Sequence, residues 1–99
     1  MKTDRLPFQK IVFVCTHSRS GETACSNPER GLNAGMLILE KLREAAHERG
    51  LKGKVRVCKS GCFDLCARGP NVLIVDPQDE PILLMEVQAE DVPQIVEKL

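Results

Sequence analysis

Aromatic residues are nearly absent from this chain: it has three phenylalanines, no tyrosine and no tryptophan in 99 residues. The core must therefore be built from aliphatic side chains. An excess of either charge is also missing, because 14 Lys and Arg balance 14 Asp and Glu for a formal net charge of +0. That balance argues against a nucleic-acid binder, whose affinity comes from neutralising phosphates with a basic face. It also offers no strong long-range steering of a charged partner. No run approaches the roughly 18 apolar residues needed for a membrane span. The opening residues 1–10, MKTDRLPFQK, lack the apolar region of a secretory signal, so the expected location is the cytoplasm. No repeat, low-complexity segment or linker interrupts the chain. Its length suits one small domain, residues 1–99, with residues 1–9 as a loose lead-in.

What is abundant is cysteine, with five in the chain. In an oxidising compartment they would suggest disulfides. In the reducing cytosol the same pattern more often binds metal or performs thiol chemistry. An odd count leaves one cysteine over, so the question is which four belong together.

The run Lys10–Cys15, KIVFVC, is continuous, apolar and of strand length, as expected of a buried strand covered on both faces. A polar loop leads from it to Cys25. Asn27-Pro28-Glu29 has the chemistry of a helix start: Asn caps free N–H groups, Pro tolerates the first turn and Glu suits the positive dipole end. Leu32, Met36, Leu39, Leu42 and Ala46 then recur at helical spacing, and Gly50 ends an amphipathic helix. Met36 and Leu37 read as core residues. Residues 54–58, KVRVC, alternate, placing Val55 and Val57 on the face opposite Arg56 and Cys58. The apolar runs at 71–76 and 81–86, joined by the polar PQDE, read as an antiparallel hairpin. Val92, Ile95, Val96 and Leu99 mark a last short helix, with Glu90 and Asp91 at its start and Pro93 in its first turn. The order is strand, helix, strand, strand, strand, helix. A strand–helix–strand crossover makes the first two strands parallel and right-handed in connection. The hairpin extends their sheet, and the helices cover it, giving a small α/β sandwich.

Cys15 ends the first strand and Cys25 follows in its loop. Cys62 and Cys66 follow the second strand, on a turn bounded by Gly61 and by Gly69-Pro70, where glycine permits positive φ and close backbone approach to sulfur. If the two strands are parallel, both loops emerge at the same sheet edge, where open α/β folds place their ligand sites. Packing of small apolar residues under a loop is the competing explanation for any one pair. Two separate pairs at one end favour a metal. Four thiolates suit zinc or an iron–sulfur cluster by ligand softness. The nine residues between Cys15 and Cys25 are too many for the short pairs of a zinc knuckle. A Rieske-type centre would need two histidines; His17 lies beside Cys15, but the second half of such a motif is missing.

The succession of VFVC, a polar loop with Cys25, an amphipathic helix, then VRV-x-KSGC-x-x-x-C-x-x-GP and a β-branched strand resembles the thioredoxin-like [2Fe–2S] ferredoxins. The resemblance runs from Ile11 to Leu99, and GC-x-x-x-C-x-x-GP is its most specific part. That family is in turn similar to a subunit domain of bacterial NADH dehydrogenases and hydrogenases. The resemblance implies a thioredoxin-like two-layer sandwich, a mixed four-stranded sheet with two helices. It further implies one [2Fe–2S] cluster, one-electron transfer instead of enzymatic bond chemistry, and frequently a homodimer. By matching positions the cluster ligands are Cys15, Cys25, Cys62 and Cys66, with Cys58 an additional free thiol. Redox partner proteins are expected at the cysteine-loop end. There Lys59, Arg68 and Arg19 could moderate the charge of the site. Two other functions suit the same thiols: a thiol–disulfide redox protein, though that usually needs C-x-x-C where this chain has C-x-x-x-C, and a zinc-stapled interaction module.

Overall fold

The first apolar run forms strand β1, Lys10–Cys15, and the sheet is assembled on both of its edges. The computed structural model describes residues 1–27 and 34–99. Within them the elements after β1 are α1 (Ala34–Glu48), β2 (Val55–Ser60), β3 (Val72–Val75), β4 (Ile82–Leu84) and α2 (Val92–Glu97). Of the expected helix start, Asn27 is described, while Pro28, Glu29 and Leu32 lie outside the described residues.

The sheet order is β2-β1-β3-β4. Strands β1 and β2 are parallel, in register from Lys10↔Val55 to Cys15↔Ser60, as a helical crossover requires. On the other edge of β1, β3 runs antiparallel with Val14 opposite Val72 and Ile11 opposite Val75. The hairpin closes with Val72 opposite Leu84. This is the mixed four-stranded sheet with two helices that the sequence led us to expect.

Alternation along each strand sorts the side chains. Val12, Val14, Val55, Val57, Val72 and Ile74 point into a core shared with Ile38, Leu39, Leu42 and Ala46 of α1 and Val92, Ile95 and Val96 of α2. Each such burial stabilises the fold by about 1.5–3 kcal/mol. The other sheet face carries Ile11, Phe13, Cys58, Leu73 and Val75, none of them fully buried. Strand β1 is thus covered on one face, not on both as its continuous apolar run suggested. The reason is topological: α2 follows β4 and packs beside α1, so no helix remains for the opposite face.

In α1 the buried stripe is Gly35, Ile38, Leu39, Leu42 and Ala46. Met36 is half-buried against it, but Leu37 is 41% exposed and is not a core residue, because it lies off the stripe. Gly50 ends the helix as expected, at φ +69, with the Leu51 N–H bonded to the Ala46 carbonyl at 3.0 Å. Just before α2, Gln88 and Asp91 form a reciprocal capping box at the 3-10 turn Ala89–Asp91.

Candidate metal centre

Cys15 stands at the carboxyl end of β1, 1% exposed, its N–H bonded to the Asn71 carbonyl at 3.2 Å. The polar loop that follows is shaped by Asn27. Its Oδ1 accepts from Ser18 Oγ and the Arg19 N–H, both at 2.9 Å, and its Nδ2 donates to the carbonyls of Arg19 and Glu22. A bond from the Ser26 N–H to the His17 carbonyl, 3.0 Å, closes the loop and sets Cys25 beneath it, fully buried. Helix α1 then begins against this loop. The Gly35 N–H bonds the Cys25 carbonyl at 3.0 Å, and a Cβ on Gly35 would strike the Cys15 carbonyl and lie 2.6 Å from Ser26 Oγ.

The second loop leaves β2 at Ser60. Positive φ in it falls on Asp64, at 60°, and not on Gly61 or Gly69 as expected. This turn aims the Asp64 N–H at Cys62 Sγ, 3.2 Å away, and brings Cys62 Sγ within 3.2 Å of Cys66 Sγ. Gly69 is needed for another reason. A Cβ there would lie 2.5 Å from Cys25 Sγ, so only glycine lets the second loop close over the first. Gly61 faces open space.

The two pairs interact. Cys15 hydrogen-bonds Cys25 and feels the charge of Cys62, while Cys66 feels the charge of Cys25. Burial, against the opposing hydrogen bond from the His17 main chain and with smaller help from Cys25 and Cys62, pushes the Cys15 thiol up to about 11. The hydrogen bond from Cys66 holds the Cys62 thiol below its ordinary range, helped by the Asp64 N–H. As donor of that bond, and then through burial, Cys66 is shifted upward. Arg19 is raised chiefly by Cys62 and then Cys66, which identifies it as the cation facing the exposed pair. Arg19 also lies 3.5 Å from Glu22, Arg68 lies 4.0 Å from Glu86, and Lys59 is exposed. Cys58 enters none of these interactions; it lies within β2, across from Phe13, on the face turned away from Val55 and Val57 of the core. The His17 and His47 rings are exposed, and His17 contributes its main chain, hydrogen-bonding Cys15.

Among the described residues no three His, Cys, Asp or Glu side chains gather about one point as a single ion requires. With Zn–S near 2.3 Å, a tetrahedral four-thiolate site needs every sulfur pair about 3.8 Å apart. The thiols here stand as two pairs, and a binuclear iron–sulfur cluster takes its cysteines from two irons. Sequence reasoning missed Asn71 and read Asn27 only as a helix cap. Their signal was a lone amide beside a cysteine loop, two residues after Cys25 in one case and directly after Gly69-Pro70 in the other.

A sheet whose parallel strands present paired thiols at their carboxyl ends defines a protein that works through sulfur, as ligand or as redox group. No protein-family model matches the sequence. A ferredoxin described as 2Fe-2S from Clostridium pasteurianum is 33% identical over 89 residues, covering 87% of this chain and 79% of that protein. The thioredoxin-like [2Fe-2S] ferredoxin of Aquifex aeolicus matches in two solved structures. In one, TM-score 0.75 and 28% identity extend over 92% of this chain and 84% of that one. In the other, TM-score 0.75 and 27% identity extend over 92% and 79%. The chain belongs to the thioredoxin-like [2Fe–2S] ferredoxin family. Ferredoxins are electron carriers, not enzymes, and that is its functional class.

Proposed function

We propose that Cys15, Cys25, Cys62 and Cys66 together ligate one [2Fe–2S] cluster, and that Cys58 remains a free thiol. The observation that carries this reading is the placement of two thiol pairs on the loops after the parallel strands β1 and β2, where Cys15 feels the charge of Cys62 and Cys66 that of Cys25, while Cys58 lies within β2 and enters neither pair. The donor set fits: four soft sulfurs, supported by N–H groups aimed at Cys15 and Cys62. When bound, the cluster supplies reversible one-electron chemistry.

The chain's own residues would do the rest. All four thiols must lose their protons to ligate. Cys15 and Cys25 wall off the inner side, while Cys62 and Cys66 are half-exposed beside Arg19. A redox partner protein would therefore dock over the Cys62–Cys66 loop, where the path for the electron is shortest. The assembly we expect is a cytoplasmic homodimer, for which the uncovered sheet face with Phe13, Leu73 and Leu83 offers an apolar surface. One observation favours a second reading: the lowered Cys62 thiol beside Cys66 would also serve thiol–disulfide exchange. Visible absorption, iron content and electron paramagnetic resonance of the anaerobically purified, reduced protein decide. Protein that binds no iron and reduces insulin disulfides would overturn the ferredoxin reading in favour of the second.

A further inference from the structure

The residue that joins the two cysteine loops is not a cysteine. Asn71 directly precedes β3 and is 1% exposed. Its Nδ2 carries two protons. One faces Cys25 Sγ at 3.6 Å, and the other is donated to the Leu65 carbonyl at 3.0 Å. Cys25 belongs to the loop after β1, and Leu65 immediately precedes Cys66 in the loop after β2. A single amide thus spans both halves of the site. Its main chain adds a third tie, because the Asn71 carbonyl accepts from the Cys15 N–H.

The amide has only one workable orientation. Flipped, Oδ1 would face the Leu65 carbonyl, acceptor against acceptor. In the observed orientation both Nδ2 protons are used, and Oδ1 is buried with no partner among the described residues. An unpaired buried carbonyl is unfavourable, so the donated bonds must outweigh it. The other N–H groups aimed at the thiols, from His17 and Asp64, belong to the main chain. Asn71 is a side-chain donor that a substitution can remove.

We infer that Asn71 is a positioning residue of the electron-transfer site: it donates a hydrogen bond to the Cys25 thiolate and holds the two cysteine loops in register. The inference rests on Cys25 being a cluster ligand. A donor to a ligand sulfur favours the state with the extra electron, so it raises the reduction potential.

The test uses the full chain with Asn71→Leu, which keeps the approximate volume and removes both donors, and Asn71→Ser, which keeps one hydroxyl donor. The inference predicts that Asn71→Leu has a more negative midpoint potential than the wild type, with Asn71→Ser between them. In metal-free protein Cys25 is fully buried, so its alkylation reads how often the two loops part, and it should be severalfold faster in Asn71→Leu. A purely structural role would lower cluster occupancy while leaving the midpoint of the loaded fraction unchanged, and that result would overturn the inference. If Asn71→Leu cannot be loaded, Asn71→Ser decides by the same midpoint comparison. Wild-type protein without a cluster would instead defeat the ligand assignment. The alkylation rate then decides whether Asn71 holds Cys25, an unchanged rate meaning that it does not.

Discussion

Gly69→Ala places one methyl group where the structure has no room for it. The new Cβ would lie 2.5 Å from Cys25 Sγ, 3.4 Å from Asn71 Nδ2 and 3.5 Å from Cys25 Cβ. Ordinary carbon contacts lie at about 3.5–4.0 Å, so the sulfur or the loop must move by about 1 Å or more. Neither has free space, since Cys25 is fully buried and Asn71 is 1% exposed. Overpacking of this kind costs about 1–3 kcal/mol. In a domain of this size each kcal/mol lowers the melting temperature by roughly 4–8 °C. The displaced atom is also a proposed ligand, so iron and sulfide bound per chain should fall together with stability. Gly61→Ala is the matched control: it lies in the same loop, its Cβ meets nothing within 4 Å, and its φ is not positive. It should change stability by no more than about 0.5 kcal/mol and leave iron content intact. Thermal unfolding and iron–sulfide analysis of the two variants read both effects. Equal behaviour of Gly69→Ala and wild type, or equal damage from Gly61→Ala, would refute the close-approach argument.

Three further outcomes are expected. Asn27→Ala removes the side chain that organises the loop between Cys15 and Cys25; at a net value near 1 kcal/mol per bond, urea unfolding should show a loss of about 2–4 kcal/mol. The Cys15 thiol is pushed from 9.0 up to about 11 in the fold, which favours its protonated form. That contribution is complete below the unfolded value and is lost as pH rises through the folded one, so metal-free protein should lose thermal stability across that interval, and Cys15→Ser should lose less. Arg19→Gln removes the cation beside Cys62 and Cys66 and should make the midpoint potential more negative, whereas Lys59→Ser should leave it unchanged in the same voltammetric measurement.

The elements most legible in the sequence were those whose local signals agreed with their packing. KIVFVC, VRVCKS and the two short apolar runs became strands, and Gly50 ended α1, because hydrophobic period and turn chemistry pointed one way. The thiol pairing was legible too, since parallel strands carry their following loops to one edge. Other features depend on facts that no local pattern holds. That β1 lacks a second covering layer follows from α2 docking beside α1, a choice made far along the chain. The glycines of the second cysteine loop were expected to supply positive φ. Asp64 supplies it instead, and Gly69 is kept for the space that Cys25 requires. Asn27 reads as a helix cap from its neighbours, yet four of its hydrogen bonds hold the cysteine loop. Asn71 is only the first residue of the run that reads as the third strand; its role appears only when two loops distant in sequence meet around it.

The central claim concerns which thiols are ligands. A set of five single Cys→Ser variants, purified anaerobically and compared by visible absorption and iron content, tests it most directly. Cys58→Ser should match the wild type in both. Each of Cys15→Ser, Cys25→Ser, Cys62→Ser and Cys66→Ser should lose or visibly alter the chromophore. Loss of the chromophore in Cys58→Ser with an intact spectrum in Cys25→Ser would contradict the assignment.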